Sequence, residues 1–279
     1  MHIEKLDSSI RLTNSGDLEF FFVGVGSAFS KIHYQNNVLI VKGQDHLLID
    51  CGTLCPYAFY KYNSNITAIK NILITHSHAD HIGGLEEMAL MGRYVTKVRP
   101  KMVITNEYKK ILWNQSLKGG NSYGEYTTRY LRFDDYFEQV EPKLISKKPR
   151  PLYETNIGSI NVKLFRTKHM PDSAKSWKNS FYSFGVLIDD RILFPSDTRF
   201  DLDLLTWMED TYHPEYIFHD CQFYNGGVHA GLEELKTLPA DMKQKMYLCH
   251  YGDNYAKFNP QADGFAGFAE QGVYYCFDK

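Results

Sequence analysis

Three histidines and one aspartate lie within six residues of one another in the stretch ITHSHADHIGG. They are His76, His78, Asp80 and His81, and they directly follow the apolar run NILIT. Because alternate side chains of an extended segment share a face, His76 and His78 can reach one metal ion. Asp80 and His81, on the turn into a following helix, can face a second ion next to it. Imidazole and carboxylate together suit zinc, iron, nickel or manganese better than calcium or magnesium.

Four more candidate residues stand at the ends of other apolar runs. They are Asp50 in LLIDCG, His169 in RTKHMPDS, Asp197 in LFPSDTRF and His250 in YLCHYGD. With them the chain resembles the metallo-β-lactamase fold hydrolases, whose HxHxDH motif is matched by HSHADH. The remaining four motifs of that superfamily fit these four residues in the expected order. The resemblance therefore extends along most of the chain.

The resemblance implies two divalent metal ions per chain, with zinc favoured and manganese or iron as alternatives. It implies the following ligands: His76, His78 and His169 on the first ion, Asp80, His81 and His250 on the second, and Asp197 between the two. A water between two cations would be a hydroxide nucleophile at neutral pH, and Asp80 can orient it. Asp50 is expected to support the ligands from behind, because a ligand histidine needs its far nitrogen held.

A further pair of candidate residues, Asp220 and His229, lies in YIFHDCQFYNGGVHAGLEEL. The metal sites are filled without them. The segments HDC and VHAG stand where tRNase Z and related phosphodiesterases carry a carboxylate and a histidine. The resemblance implies that Asp220 orients His229, which protonates the leaving oxygen as a general acid and accelerates cleavage by about 10²–10⁴-fold. In the simpler alternative, His229 only begins a helix and Asp220 only accepts a hydrogen bond in a loop, while His219 is structural.

Other stretches bear on the substrate. FFVGVGSAFS (21–30) and PSDTR (195–199) resemble the same tRNase Z-like branch. The chain departs from tRNase Z in using Asp220 in place of glutamate, in lacking an arginine after the last histidine in HYGDNY, and in having no Gly/Pro-rich arm to grip tRNA. Its net charge of -2 gives no basic excess for nucleic acid. We therefore predict a two-metal phosphodiesterase whose substrate is a small phosphodiester, a cyclic nucleotide, rather than a nucleic acid.

Three alternatives stay open at this point. The first is a tRNase Z-like endonuclease that processes RNA 3′ ends, because the motif order is shared with that enzyme. The second is a lactonase or another ester hydrolase of the same fold, since the fold does not dictate the chemistry. The third is a metal-stabilised protein that sequesters a nucleotide without cleaving it, although such a protein has no need of an open two-metal site.

Short apolar runs separated by turn residues predict the strands that must position these side chains. Strands are expected at 19–24, 38–43, 46–50, 71–75, 102–105, 160–169, 180–189, 191–198, 216–221 and 245–251, and helices at 84–94, 106–117, 201–209 and 229–237. Strand clusters with helices between and after them indicate two packed sheets with helices outside. With the resemblance, this predicts an α/β protein of the metallo-β-lactamase fold, a four-layer αββα sandwich of two mixed β-sheets flanked by helices.

The sequence shows no repeat and no linker, so residues 1–279 are expected to form one metallo-β-lactamase-like domain with an aromatic-rich insertion around 118–148. The aromatic residues of that insertion are Tyr123, Tyr126, Tyr130, Phe133 and Tyr136. They can stack a nucleobase, for about 1–3 kcal/mol per base, form an interface with a partner subunit, or pack in the core. Phosphodiesterases of this branch, including bacterial and phage enzymes that destroy cyclic nucleotide signals, are commonly homodimers, so the resemblance also implies a homodimer.

The composition of the chain is that of an ordinary globular protein. It has 279 residues, of which 43% are hydrophobic and 23% charged. Its five cysteines are scattered and odd in number, which is not the pattern of a disulfide framework. The N-terminal stretch has no apolar signal core, and no run approaches the roughly 20 apolar residues of a membrane span. We therefore expect a cytoplasmic protein with no membrane partner.

Overall fold

The apolar runs of the sequence form two eight-stranded β-sheets that pack face to face. This computed structural model describes residues 1–124 and 129–278. Both sheets are mixed, and helices flank the sandwich on its outer faces. The predicted α/β class and the four-layer αββα arrangement are therefore confirmed.

Sixteen strands and eight α-helices make up these layers within the described residues. The strands are β1 His2–Lys5, β2 Leu18–Gly24, β3 Asn37–Lys42, β4 Asp45–Ile49, β5 Asn71–Leu73, β6 Lys101–Val103, β7 Glu138–Val140, β8 Lys143–Ser146, β9 Leu152–Ile157, β10 Ile160–Arg166, β11 Phe184–Ile188, β12 Ile192–Ser196, β13 Tyr216–Asp220, β14 Met246–Cys249, β15 Gly267–Phe268 and β16 Val273–Phe277. The helices are α1 Cys55–Lys61, α2 Ala79–Ile82, α3 Leu85–Leu90, α4 Asn106–Leu112, α5 Lys118–Asn121, α6 Leu202–Tyr212, α7 Leu232–Leu235 and α8 Ala240–Gln244.

Each sheet is antiparallel in one half and parallel in the other. The first sheet has the order β1-β16-β2-β3-β4-β5-β6-β7, and its strands are parallel from β4 to β7. The second has the order β15-β14-β13-β12-β11-β10-β9-β8, and its strands are parallel from β12 to β15. Because the carboxyl ends of parallel strands open at one edge of a sheet, the loops that follow them are the natural place for a site.

Aromatic rings fill the space between the sheets. Phe218, on β13, has ring centroids of the opposite sheet within 4.9 Å (Phe22), 5.0 Å (Tyr275) and 5.9 Å (Phe20). None of these four side chains is more than 1% exposed. The sheets are therefore held together by direct apolar contact across the sandwich, which fixes the position of one set of strand ends against the other.

The predicted helices are found with altered ends. The helix predicted at 84–94 is α3, which continues as a π-helical segment to Thr96, and the one at 106–117 continues through α5 to Asn121. The helix near 201–209 is α6. The helix predicted at 229–237 begins only at Leu232, because Gly231 before it is extended and forms a β-bridge with Gln222. His229 therefore lies on a loop and not on a helix.

The segment predicted as an insertion, 118–148, divides into two parts. Phe133 and Tyr136 are 2% and 1% exposed and belong to the core, whereas Tyr123 and Tyr130 are 68% and 50% exposed. Tyr126 lies outside the described residues. The last part of the segment supplies β7 and β8, an edge strand for each sheet. The short turn between them carries the chain from the first sheet to the second.

Two further findings concern the expectations drawn from composition. All five cysteines are buried and unbridged. In the described part of the chain, no helix combines the length and the apolar character that crossing a bilayer demands.

The ring of Phe218 offers a test of the packing between the sheets. Phe218→Ala should lower the free energy of unfolding by about 3–5 kcal/mol, because it leaves a cavity among the rings of both sheets. Urea denaturation would measure this. Val95→Ala is the control, since that side chain is 63% exposed, and it should change stability by no more than about 0.5 kcal/mol. Equal unfolding midpoints for the two variants would contradict this account of the core.

Candidate metal centre

The predicted ligands follow strand ends, five of them in loops and two on the short helix α2. His76 and His78 come just after β5, Asp197 directly follows β12, and His250 directly follows β14. His250 has a φ of 56°, and Ser196 at the end of β12 has a φ of 54°. Non-glycine residues rarely adopt this left-handed conformation. It ends the strand sharply and lets the next loop enter the gap between the sheets.

Three imidazole nitrogens converge to form the first group. His78 Nδ1 lies 3.0 Å from His76 Nε2 and 3.2 Å from His169 Nε2. The far nitrogen of His169 donates to the carbonyl oxygen of Val228 at 2.9 Å. The far nitrogen of His76 lies 3.0 Å from the hydroxyl of Thr75. Because Nδ1 of His169 carries the proton, Nε2 has a free lone pair that faces the other two rings. A metal ligand needs such a lone pair.

A second group lies beside the first. Asp80 Oδ2 is 3.2 Å from His250 Nε2 and 3.3 Å from His81 Nε2. The far nitrogen of His81 is held by Asp50 Oδ2 at 2.7 Å. Asp50 also accepts hydrogen bonds from the backbone N–H and the hydroxyl of Thr75, both at 2.7 Å. Asp50 therefore stands behind the ligands, in the supporting position that the resemblance implied.

Asp197 lies between the two groups and belongs to both. Its Oδ2 is 3.3 Å from His81 Nε2 and 3.4 Å from His250 Nε2 in the second group. The same oxygen is 3.7 Å from His76 Nε2 and 3.8 Å from His169 Nε2 in the first. The structure thus brings all seven predicted ligand residues together, with Asp197 in the bridging place.

The donor set fits two divalent metal ions. Asp197 Oδ1 and His81 Nε2 are buried and have no hydrogen-bond partner among the described residues. Unpartnered buried polar atoms are costly, and a cation that accepts their lone pairs removes that cost. Imidazole nitrogens and carboxylate oxygens are ligands for zinc, manganese and iron alike. The atoms present therefore support a metal centre without naming the metal.

Burial and charge set the protonation states of the ligands. Burial lowers the pKa of His169 to about 4 and that of His76 well below its ordinary value, so both rings are neutral and able to bind a metal. Burial alone would raise the pKa of Asp197, but the histidines around it, His250 and His81 above all, hold it well below its ordinary value. The neutral imidazoles of the first group thus face a carboxylate anion. In the second group, burial would lower the pKa of His81, but the carboxylates around it, Asp197 above all, raise it well above its ordinary value, so a metal ion would displace a proton there.

The predicted catalytic pair stands next to the metal ligands. Asp220 is fully buried, and its Oδ2 accepts hydrogen bonds from His229 Nδ1 at 2.9 Å and from the backbone N–H of Thr198 at 3.2 Å. The ring of His229 stacks on that of His250, with centroids 4.6 Å apart. Its side chain is 17% exposed. His229 therefore lies at the solvent side of the centre, with its Nε2 not used by Asp220.

The electrostatics of this pair follow from its neighbours. Burial disfavours a charged ring at His229, but the carboxylates of Asp197 and Asp220 outweigh it and raise the pKa of His229. Burial would raise the pKa of Asp220, but hydrogen bonds from His219 and His229 lower it below its ordinary value. The carboxylate of Asp220 is therefore anionic, and it stabilises the protonated form of the neighbouring ring of His229.

Two contacts at the centre are not singled out by the sequence motifs. Thr75 joins Asp50 to His76 through its hydroxyl group, and the ring of Phe181 stacks on His78 with centroids 5.1 Å apart and an angle of 11°. The guanidinium of Arg166 donates to the carbonyl oxygen of Phe181 at 3.0 Å. Thr75 gives no signal in the sequence, because its hydroxyl group matters only once the fold brings Asp50 next to it. Phe181 lies far along the chain from any motif.

The loop after β2, which resembles the opening loop of tRNase Z-like enzymes, lies beside the last motif. The backbone N–H of Ser27 donates to the carbonyl oxygen of Tyr251 at 3.0 Å. Asp253 accepts hydrogen bonds from the hydroxyl of Ser30 at 2.5 Å and from the N–H of Lys31 at 2.9 Å. Asp253, in HYGD, therefore anchors this loop. His33 packs on aromatic rings there and belongs to neither group of metal ligands.

Comparisons with known proteins show the family to which the chain is similar. A family model for the Anti-Pycsar protein Apyc1 matches residues 18–275. The chain is 40% identical over 261 residues to the Anti-Pycsar protein Apyc1 of Bacillus phage BSP38, an alignment that covers 91% of this chain and 96% of that protein.

Solved structures show the same fold. The metallo-β-lactamase fold protein YhfI from Bacillus subtilis superposes with a TM-score of 0.66 at 12% identity, covering 94% of this chain and 100% of that one. Human tRNase Z, short form, superposes with a TM-score of 0.60 at 18% identity, covering 92% and 98%. The predicted metallo-β-lactamase fold and the resemblance to its tRNase Z-like branch are confirmed.

The support given by Asp50 can be tested through metal affinity. Asp50→Asn should weaken the binding of the more loosely held ion by about 10–100-fold, because the charge that holds His81 is lost. Competition with a chromophoric chelator would measure this. Asp189→Asn is a matched control at the opposite end of the strands, since Asp50 and Asp189 have φ values of 65° and 53° that asparagine tolerates. Equal metal affinity in both variants would contradict the role of Asp50.

Proposed function

This chain belongs to the Anti-Pycsar protein Apyc1 family, and we propose that it is a phosphodiesterase that hydrolyses a cyclic nucleotide. At the coarser level, the prediction of a metal-dependent hydrolase is confirmed by membership of this family. The observation that carries the finer proposal is the hydrogen bond between Asp220 and His229. This pair lies beside a complete set of metal ligands and is not needed to complete it.

Seven residues would hold two divalent ions at this site, three or more on each ion with Asp197 shared. When bound, such a pair of ions polarises a phosphate oxygen and lowers the pKa of a water toward neutrality. Asp80 is 5% exposed and lies at the second group, where its carboxylate can accept a hydrogen bond from that water. The native metal, with zinc favoured and manganese or iron as alternatives, remains a prediction.

His229 supplies a group that the cleavage of an alkyl phosphodiester needs, an acid for the leaving oxygen. Cleavage of an alkyl phosphodiester expels an alkoxide, which is a poor leaving group until it is protonated. Asp220 binds Nδ1 of His229 and fixes the ring, so that Nε2 is the nitrogen left for the substrate. We propose that Nε2–H protonates the departing ribose oxygen, a contribution of about 10²–10⁴-fold in rate.

A small substrate is favoured over RNA. Where tRNase Z has an arginine shortly after its last motif histidine, this chain has HYGDNY, and Asp253 is occupied in anchoring Ser30 and Lys31. This arrangement places a carboxylate, rather than a cation, next to the last motif. A net charge of -2 adds no general attraction for a polyanion. A cyclic nucleotide requires neither an arm nor a basic groove.

The predicted homodimer is also a proposal. Its support is a set of exposed apolar side chains on α1 and on the neighbouring loop: Phe29 is 85%, Tyr57 51% and Tyr60 71% exposed. The rings of Tyr34 and Tyr57 are 6.2 Å apart, so the loop and the helix share one face. Exposed apolar surface of this kind is typical of an interface. The cytoplasmic location stays a prediction.

The role of His229 can be tested with two leaving groups. His229→Ala should reduce the turnover of a cyclic nucleotide by about 10²–10⁴-fold, because its ribose oxygen needs a proton. The same variant should hydrolyse bis(p-nitrophenyl) phosphate at a rate close to that of the wild type, because nitrophenolate leaves without protonation. Steady-state rates on both substrates would measure the difference.

Two controls accompany that experiment. Metal content should stay at about two ions per chain, as expected for a residue outside the two-metal ligand set. His213→Ala, at a histidine whose side chain is 74% exposed, should leave both rates unchanged. Equal loss of activity on both substrates, or loss of a metal ion, would show that His229 acts as a ligand or in folding and not as the acid.

A further inference from the structure

His219 is a buried histidine that the proposed reaction does not yet use. It is the penultimate residue of β13 and has no exposed surface. Its Nδ1 lies 2.8 Å from the carbonyl oxygen of Asp220 and 3.1 Å from the carboxylate oxygen Oδ1 of the same residue. His219 belongs to none of the metal-binding groups that the described residues form.

The surroundings of His219 determine its protonation. Both oxygens that face Nδ1 can only accept hydrogen bonds, so Nδ1 must carry a hydrogen. The other ring nitrogen, Nε2, is buried and finds no partner within the described part of the chain. A second proton there would be a buried donor with nothing to accept it, which is costly. His219 is therefore protonated on Nδ1 alone: this N–H donates to the backbone carbonyl oxygen of Asp220 at 2.8 Å, and the carboxylate oxygen Oδ1 lies 3.1 Å from the same nitrogen.

The hydrogen on Nδ1 of His219 lies near Oδ1 of Asp220, the carboxylate oxygen that has no hydrogen bond from another described residue. Oδ2 of Asp220 already has two donors, Nδ1 of His229 and the backbone N–H of Thr198. Oδ1 has no other neighbouring donor among the described residues, and its contact with His219 is outside ideal hydrogen-bond geometry. A fully buried carboxylate is favoured when its oxygens face donors, and the Nδ1–H of His219 is the donor that the structure places nearest to Oδ1, at 3.1 Å.

We propose that His219 is a positioning residue for the general acid: its Nδ1–H holds the Asp220 carboxylate so that Oδ2 stays on His229. His219 does not reach the substrate and acts only through Asp220. The inference rests on the proposed function, in which His229 protonates the leaving oxygen. It turns the pair into a chain of three groups, His219, Asp220 and His229, that begins inside the second sheet and ends at the substrate.

Packing is the competing explanation, because β13 is a central strand and His219 pairs with Ser196 on one side and Leu248 on the other. Three substitutions separate the two. His219→Leu keeps an apolar side chain and removes both nitrogens. His219→Asn keeps an N–H near the place of Nδ1, whereas His219→Gln moves it toward the place of Nε2. If His219 only packs in the core, the leucine variant should be the more active of the two. If His219 positions Asp220, the asparagine variant should be the more active.

The test compares the turnover of a cyclic nucleotide with that of bis(p-nitrophenyl) phosphate. His219→Leu should lower the first by about 10–100-fold, the usual effect of losing a supporting hydrogen bond behind an active group. The second should stay close to the wild-type rate, with the metal content unchanged. His219→Asn should restore most of the cyclic-nucleotide rate. Equal losses on both substrates, no loss on either, or no rescue by asparagine would overturn the proposal.

The Asn and Gln variants keep the test valid if His219→Leu does not fold. A rate for His219→Asn well above that for His219→Gln on the cyclic nucleotide alone supports positioning. Equal rates for the two variants overturn it.

A second measurement separates this inference from the proposed function. Imidazole ¹⁵N NMR of the metal-loaded wild-type protein should show His219 as a neutral ring protonated on Nδ1. Protonation on Nε2 alone would overturn the inference whatever the substrate is. If Nδ1–H is observed but the protein cleaves no alkyl phosphodiester, the proposed function fails while the contact of His219 with Asp220 stands.

Discussion

One buried carboxylate, that of Asp197, joins the two halves of the centre. Its Oδ2 lies within 3.8 Å of ring nitrogens from both metal-binding groups, and its Oδ1 is buried without a protein partner among the described residues. Four of the seven ligands follow β5 of the first sheet, and the other three come from loops of the second. The ligands meet only because the sheets pack with their carboxyl-terminal edges together, and Asp197 is where the two sets touch.

The same packing of the two sheets places the proposed general acid beside the metal ligands. Asp220 is the last residue of β13, which neighbours the strand that precedes Asp197. Its side chain lies beside the metal ligands. His229 returns to it on a loop, and the carbonyl oxygen of Val228 in that loop accepts the hydrogen bond from His169. The loop that carries the acid thus also orients a metal ligand. Metal binding and acid positioning are therefore parts of one structure, although different residues carry them.

The sequence indicated the residues that the structure brings together at the centre better than it indicated the loops that carry them. Asp197 and His250 could be identified because each is a ligand-type residue at a strand end, and the order of such residues is a pattern along the chain. Thr75 could not be, since threonine is common in strands and its hydroxyl group matters only because Asp50 reaches it from the next strand. The predicted start of α7 is three residues too early, because the bridge between Gly231 and Gln222 keeps the chain extended and is not visible as a local pattern. The edge strand β1 pairs with β16, at the other end of the chain, which no local pattern reveals.

The central claim is that this metal centre, with Asp220 and His229 beside it, acts on a small phosphodiester. The most direct measurement offers one metal-loaded preparation a panel of 3′,5′-cyclic nucleotides, a precursor tRNA and an acyl-homoserine lactone, and follows the cleavage of each. The account predicts that a cyclic nucleotide is opened to the linear nucleotide far faster than either of the others is cleaved. Cleavage of the lactone alone, or of the precursor tRNA alone, would contradict it.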